Sequence, residues 1–177
     1  MDKLRTIYRL RALRGGILMA LLAILWGSGL LFLLRLFPEL ISAKIKENIA
    51  ISGNLTHPEF IHTLIDKSAI GTDLFVHAAL EPMVFGIMLL VLMFLLIRLN
   101  GNTQLRITIS WLLGIGLVLY AISLFVRAMT YIGTASADEA QSHCLWLMFP
   151  GAILLATGIL LTIIKSVKDL TEPIGVD

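Results

Sequence analysis

The sequence predicts an all-α integral membrane protein, a bundle of four membrane-crossing helices joined by short connections and one longer outer loop. Of its 177 residues, 58% are hydrophobic and only 15% are charged, and the mean hydropathy is +0.90. The charges occupy short segments between long uncharged runs, unlike the polar coat of a soluble domain. Soluble enzymes and disordered tails are therefore excluded. With 14 basic and 12 acidic residues, neither sign dominates, so no nucleic-acid partner is expected.

Four windows each supply the roughly 20 apolar residues that a helix needs to cross the hydrocarbon core. The predicted spans cover residues 15–34, 75–97, 107–126 and 144–164. Three of them contain no Asp, Glu, Lys or Arg, whereas the second contains Glu81 as its only formal charge. Because a carboxylate inside a membrane is costly, Glu81 is the residue that most directly indicates a functional site.

The positions of Lys and Arg predict the orientation, because basic residues near span ends are retained on the cytoplasmic side. Most of them lie in the N-terminal segment 1–14, the turn 98–106 and the tail 165–177. Both termini are therefore expected in the cytoplasm, with segment 1–14 held at anionic headgroups. Residues 35–74 and 127–143 are expected on the outer face, which in a bacterial inner membrane is the periplasmic face.

The long outer loop is predicted to be partly helical. Within PELISAKIKENIAIS, Ile41, Ile45 and Ile49 recur at helical spacing, which favours an amphipathic helix on the outer membrane surface. The following NLTHPEF favours a turn, because Pro58 biases the preceding residue away from helix. A second short helix is then expected to end at Gly71, before the second span.

A polar pair is predicted within the second span. His77 precedes Glu81 by four residues, so the imidazole and the carboxylate share one helix face, one to two turns below the outer surface. Pro82 follows directly and weakens the local backbone hydrogen bonding. On the third span, Tyr120 and Arg127 share a face, with Tyr120 near the depth of Glu81. Such a polar patch beside a kink makes room for a ligand, a cofactor or a proton.

One hypothesis is a b-type haem. His77 and His143, at the start of the fourth span, are expected at a similar depth on the same side, as two axial iron ligands between facing helices require. Arg35 and Arg127 could then pair with the haem propionates. The alternative is that both histidines are hydrogen-bonded structural residues.

A second hypothesis, compatible with the first, is a quinone or lipid-headgroup pocket built from His77, Glu81, Tyr120 and Arg127. A quinone needs a hydrogen-bonding group at each carbonyl and a proton route to the surface, and a His and Glu pair supplies both. The alternative is that Glu81 pairs with Arg127, or with another subunit, and only fixes helix packing.

A third hypothesis is a copper or zinc site on the outer side. Its candidate ligands are His57, His62, His77, His143, Cys144 and Glu81. The five-residue spacing in HPEFIH does not stack two imidazoles on one helix face, and no paired-ligand motif is present. The single cysteine also excludes an internal disulfide and the chemistries that use paired cysteines.

No hydrolytic or phosphate-binding motif is present, so the chain is not expected to be an enzyme by itself. Its small size and its outer polar residues favour a subunit of a larger respiratory or energy-converting membrane complex. In that complex it would take part in electron transport by binding haem b, a quinone or both near the outer face. The alternative is a non-catalytic assembly or packing subunit without a cofactor.

Overall fold

The computed structural model describes residues 2–52, 57–98, 103–134 and 137–171, with side chains described for 7–50, 59–98, 103–133 and 138–169. The described part of the chain is helical almost throughout and contains no strand. Its helices are α1 (Asp2–Leu36), α2 (Glu39–Ser52), α3 (His57–Arg98), α4 (Thr103–Thr134) and α5 (Ala137–Thr171). All except α2 are long and apolar enough to cross a membrane, which confirms the predicted class.

The helices extend beyond the predicted spans, most clearly in α3. This helix runs without interruption from His57 to Arg98, so the predicted helix end at Gly71 is wrong. Gly71 is buried, and a Cβ there would lie 3.1 Å from Cδ1 of Ile45 on α2. The glycine therefore allows α2 to approach α3 and does not end a helix. Most of the segment 127–143, predicted as an outer loop, is likewise helical in α4 and α5.

The five described helices differ in which neighbours they pack against. α1, α3 and α4 pack against one another, α5 packs chiefly against α4, and α2 lies on α3 and α4 at one end. We call the end that carries α2 the α2 end, and the opposite end, with Arg98 and Lys165, the basic end. The predicted apolar face of α2, formed by Ile41, Ile45 and Ile49, is buried against protein in a cluster with Phe75 of α3.

A hydrogen-bonded contact between small residues joins α1 to α4 toward the basic end. The backbone N–H of Gly16 donates to Oγ of Ser110 at 2.8 Å, and this hydroxyl donates to the carbonyl of Leu13 at 3.2 Å. A Cβ on Gly16 would lie 2.6 Å from the same Oγ. Small residues at this crossing therefore let the two backbones approach closely enough to share a polar group.

The contact between α4 and α5 depends on Gly116, which yields a stability prediction. A Cβ at Gly116 would lie 2.8 Å from the backbone N of Leu155 and 2.9 Å from the carbonyl O of Gly151. Since backbone atoms cannot move aside alone, we expect Gly116→Ala to be less stable than Gly29→Ala by ~1–3 kcal/mol. Gly29 is a matched control, because a Cβ there meets nothing within 4 Å. Thermal unfolding of both variants in one detergent checks this, and equal melting temperatures would contradict it.

Candidate functional site

A hydrogen-bonded polar cluster joins α3 to α4 toward the α2 end, with Glu81 at its centre. Oε1 of Glu81 lies 3.0 Å from Nδ1 of His77, one turn away on the same helix. Oε2 accepts a hydrogen bond of 2.7 Å from the hydroxyl of Tyr120 on α4. The predicted shared face of His77 and Glu81 and the predicted common depth of Tyr120 and Glu81 are therefore confirmed.

The cluster continues to the protein surface through Asp73, one turn before His77 on α3. Its Oδ2 lies 3.7 Å from Nε2 of His77. Side-chain exposure decreases along α3 from 70% at Asp73 to 55% at His77 and 33% at Glu81. The three side chains therefore form a titratable line about 12 Å long, given the rise of an α-helix, from the surface toward the bundle interior. The repeated spacing of four residues was the signal that could have identified Asp73.

A small pocket lies beside this line. It has a volume of about 270 Å³, and its walls include Asp73, His77 and Glu81 together with the apolar Leu74 and Leu124. Arg127 of α4 also lines it, and its Nε is buried without a hydrogen-bond partner among the described residues. A buried donor left unsatisfied costs roughly 1–3 kcal/mol. Arg127 therefore places a guanidinium group at the wall of this pocket, and its Nε is a donor that no described residue satisfies.

The deeper side of the cluster is closed by apolar and aromatic groups. Phe85, one turn below Glu81, contacts the ring of Tyr120 edge to face, with centroids 5.7 Å apart. Pro82, next to Glu81 on α3, is also fully buried. This packing holds the Tyr120 ring in place, so that its hydroxyl points at Glu81. The polar groups therefore end at about the depth of Tyr120.

Two predicted site residues lie outside this cluster. His143 is exposed on α5, which packs chiefly against α4, and Arg35 is exposed in the last turn of α1. Neither lines the pocket that contains His77 and Arg127. Both ring nitrogens of His77 also face carboxylates, so iron ligation would require one of these contacts to be released. The haem hypothesis therefore stays a prediction based on the sequence.

The predicted copper or zinc ligands whose side chains are described do not form a metal site either. Among the residues with described side chains, no group of three or more His, Cys, Asp or Glu is placed to hold a metal ion. The side chain of His57 lies outside the described residues. Cys144 is a free, buried thiol whose Sγ lies 3.1 Å from the carbonyl O of Gln141 on its own helix.

A second group of charged side chains, at the basic end, was missed by sequence reasoning. Nζ of Lys165 lies 3.0 Å from Oδ1 of Asp169, and these side chains are only 8% and 11% exposed. Arg106 of α4 is also buried and interacts electrostatically with Asp169 and Arg9. Arg9 in turn donates from Nη1 to the carbonyl of Ile97 at 2.9 Å. The spacing of four residues between Lys165 and Asp169 was the only local signal.

Known proteins do not indicate a function for the polar cluster or for the charged group at the basic end. The polar cluster must therefore be interpreted from its own geometry and chemistry. Comparison with protein-family models, curated proteins and solved structures finds no match to this chain.

Proposed function

We propose that the chain is a small subunit of a larger respiratory or energy-converting membrane complex, and that its polar cluster binds a quinone headgroup. The observation that carries this proposal is Arg127, which lines the pocket with Glu81 and whose buried Nε has no hydrogen-bond partner among the described residues. A quinone carbonyl oxygen only accepts hydrogen bonds, so the guanidinium of Arg127 could donate to it. The proposal includes a bacterial inner membrane with both termini in the cytoplasm, which makes the α2 end periplasmic.

The size and walls of the pocket favour a single ring over a larger cofactor. Its volume of about 270 Å³ lies just below the range of roughly 300–1,000 Å³ typical of small-molecule sites. A substituted quinone ring could lie between Leu74 and Leu124, with its apolar tail in the surrounding lipid. A haem macrocycle would need more space than this pocket offers.

The line of titratable side chains supports proton exchange at the same site. Reduction of a quinone to a quinol takes up two electrons and two protons. A redox-active neighbouring subunit would exchange the electrons. Protons would pass between the surface and the pocket through Asp73, His77 and Glu81. The side chains of Asp73 and His77 lie 3.7 Å apart, and those of His77 and Glu81 lie 3.0 Å apart. The hydrogen bond from Tyr120 would hold Glu81 in position for this transfer.

A second candidate function is a packing subunit without a cofactor. The 2.7 Å hydrogen bond between Tyr120 and Glu81 favours it, because this contact satisfies the carboxylate and ties α3 to α4 without any ligand. In that case Glu81 would determine helix packing, and exposed apolar faces of the bundle would meet the neighbouring subunits.

Titration of the purified chain in nanodiscs with short-tailed ubiquinone and menaquinone analogues tests the quinone proposal. We expect saturable binding of one analogue, near one molecule per chain, by isothermal titration calorimetry. Absence of saturable binding of either analogue would overturn the proposal in favour of the packing subunit. A reduced-minus-oxidised visible spectrum tests haem separately, since a b-type band lost in His77→Ala and in His143→Ala would assign the cluster to haem.

A further inference from the structure

A polar pocket at the basic end is separate from the polar cluster. We propose that it binds the headgroup of an anionic phospholipid. The pocket has a volume of about 380 Å³ and lies between the N-terminal part of α1 and the first turns of α4. Its principal lining residues are Tyr8, Arg11, Arg14, Thr103, Ile107 and Trp111. The proposal does not depend on whether the cluster at the α2 end binds a quinone.

The positive charge of the residues that line the pocket favours an anionic ligand. Arg11 and Arg14 both line it, and no Asp or Glu is among its lining residues. Among the residues with described side chains, neither arginine forms an ion pair within 4.0 Å. Two guanidinium groups with no carboxylate partner among these residues match the charge of a phosphodiester, which each can contact through two N–H groups.

Hydroxyl and aromatic groups complete the headgroup site. Tyr8 and Thr103 line the same pocket, and their hydroxyls can donate to phosphate oxygens. Tyr8 and Trp111 are both largely exposed, at 69% and 45%. Amphipathic aromatic rings of this kind are enriched at the level of lipid headgroups. The pocket therefore lies where a phospholipid headgroup would be in a bilayer that the bundle spans.

The floor of the pocket indicates a lipid and not a free phosphate. Gly15 allows the Trp111 indole to lie against α1, since a Cβ there would be 3.0 Å from Cε2 of the ring. From this floor, exposed apolar side chains continue along both helices toward the bilayer centre, namely Leu18 on α1 and Ile115 on α4. Acyl chains could lie on this stripe, whereas inorganic phosphate would make no use of it.

Lipid retention by the purified chain tests the proposal. The protein is placed in nanodiscs of equal parts phosphatidylglycerol and phosphatidylcholine, and retained lipids are counted by native mass spectrometry. We expect the wild-type chain to retain phosphatidylglycerol preferentially. Double substitution Arg11→Gln, Arg14→Gln should reduce this preference roughly tenfold, since each cation near an anionic headgroup contributes to binding. Arg98→Gln is the matched control, because Arg98 is exposed at the same end and does not line the pocket.

The outcomes separate the possible ligands. Equal retention of phosphatidylglycerol by the wild-type chain and the double variant would overturn the proposal. An equal loss in Arg98→Gln would also overturn it, because the effect would then come from general positive charge and not from this pocket. Displacement of the lipid by millimolar inorganic phosphate would assign the site to free phosphate.

Discussion

Arg127→Met is expected to weaken quinone binding about ten- to a hundredfold while leaving the unfolding temperature almost unchanged. A hydrogen bond from a charged donor contributes roughly 1.5–3 kcal/mol, which corresponds to this range of affinity. Nε of Arg127 is buried without a hydrogen-bond partner in the described part of the chain, so its removal breaks no hydrogen bond of this atom to a described residue. Methionine keeps much of the apolar volume of the side chain. Calorimetric titration and thermal unfolding of the same samples give the two quantities.

Arg35→Met is the matched control for this experiment, because Arg35 is an exposed arginine at the same end of the bundle and does not line the pocket. It should change neither quinone affinity nor stability. The packing alternative predicts the opposite result for Arg127→Met. If Arg127 serves only to neutralise Glu81 between the helices, the substitution should lower the unfolding temperature, and there should be no quinone binding to lose.

Asp169→Asn is expected to reduce the free energy of unfolding by roughly 3–5 kcal/mol, the usual effect of removing one partner of a buried ion pair. The substitution would leave Lys165, only 8% exposed, and the buried Arg106 without the carboxylate between them. Both cations are held within the packed basic end, where water cannot fully replace Asp169. Unfolding of the purified chain in mixed micelles by a titrated denaturing detergent measures the change.

An exposed ion pair on α2 serves as the control for the buried ion pair of Asp169. Lys44 and Glu47 on α2 lie 2.6 Å apart, but their side chains are 53% and 57% exposed. Glu47→Gln should therefore change stability by less than about 1 kcal/mol, as for other surface pairs. Equal effects of the two substitutions would show that solvent reaches Asp169, and that its burial does not strengthen the ion pair.

Much of the fold follows from local sequence patterns. Uninterrupted apolar length predicted the four membrane helices, because no other regular structure of this length satisfies its backbone in lipid. Helical spacing predicted that His77 and Glu81 share a face, and the rise per residue placed Tyr120 at the depth of Glu81. These three predictions depend only on the geometry of a single helix and on the depth of a residue in the membrane. They could therefore be made without knowing how the helices pack.

The rest depends on how the helices are rotated and which neighbours they choose. Gly116 lies one turn before Tyr120 on α4, but it faces α5, where its lack of a Cβ allows close approach to Gly151. Because α5 then packs chiefly against α4, His143 does not join His77 in the pocket. The predicted helix end at Gly71 is wrong for a related reason, since Gly71 allows α2 to pack closely against α3. Packing partners of this kind leave no periodic signal in one sequence.

Photoaffinity labelling with an azido-quinone, followed by peptide mapping, tests the quinone site most directly. The chain is labelled in nanodiscs, with and without an excess of unlabelled quinone. We expect competable label on the α3 segment around His77 and Glu81 and on the α4 segment around Leu124 and Arg127, which line one pocket. Label that excess quinone does not displace, or label confined to other helices, would contradict quinone binding at this cluster.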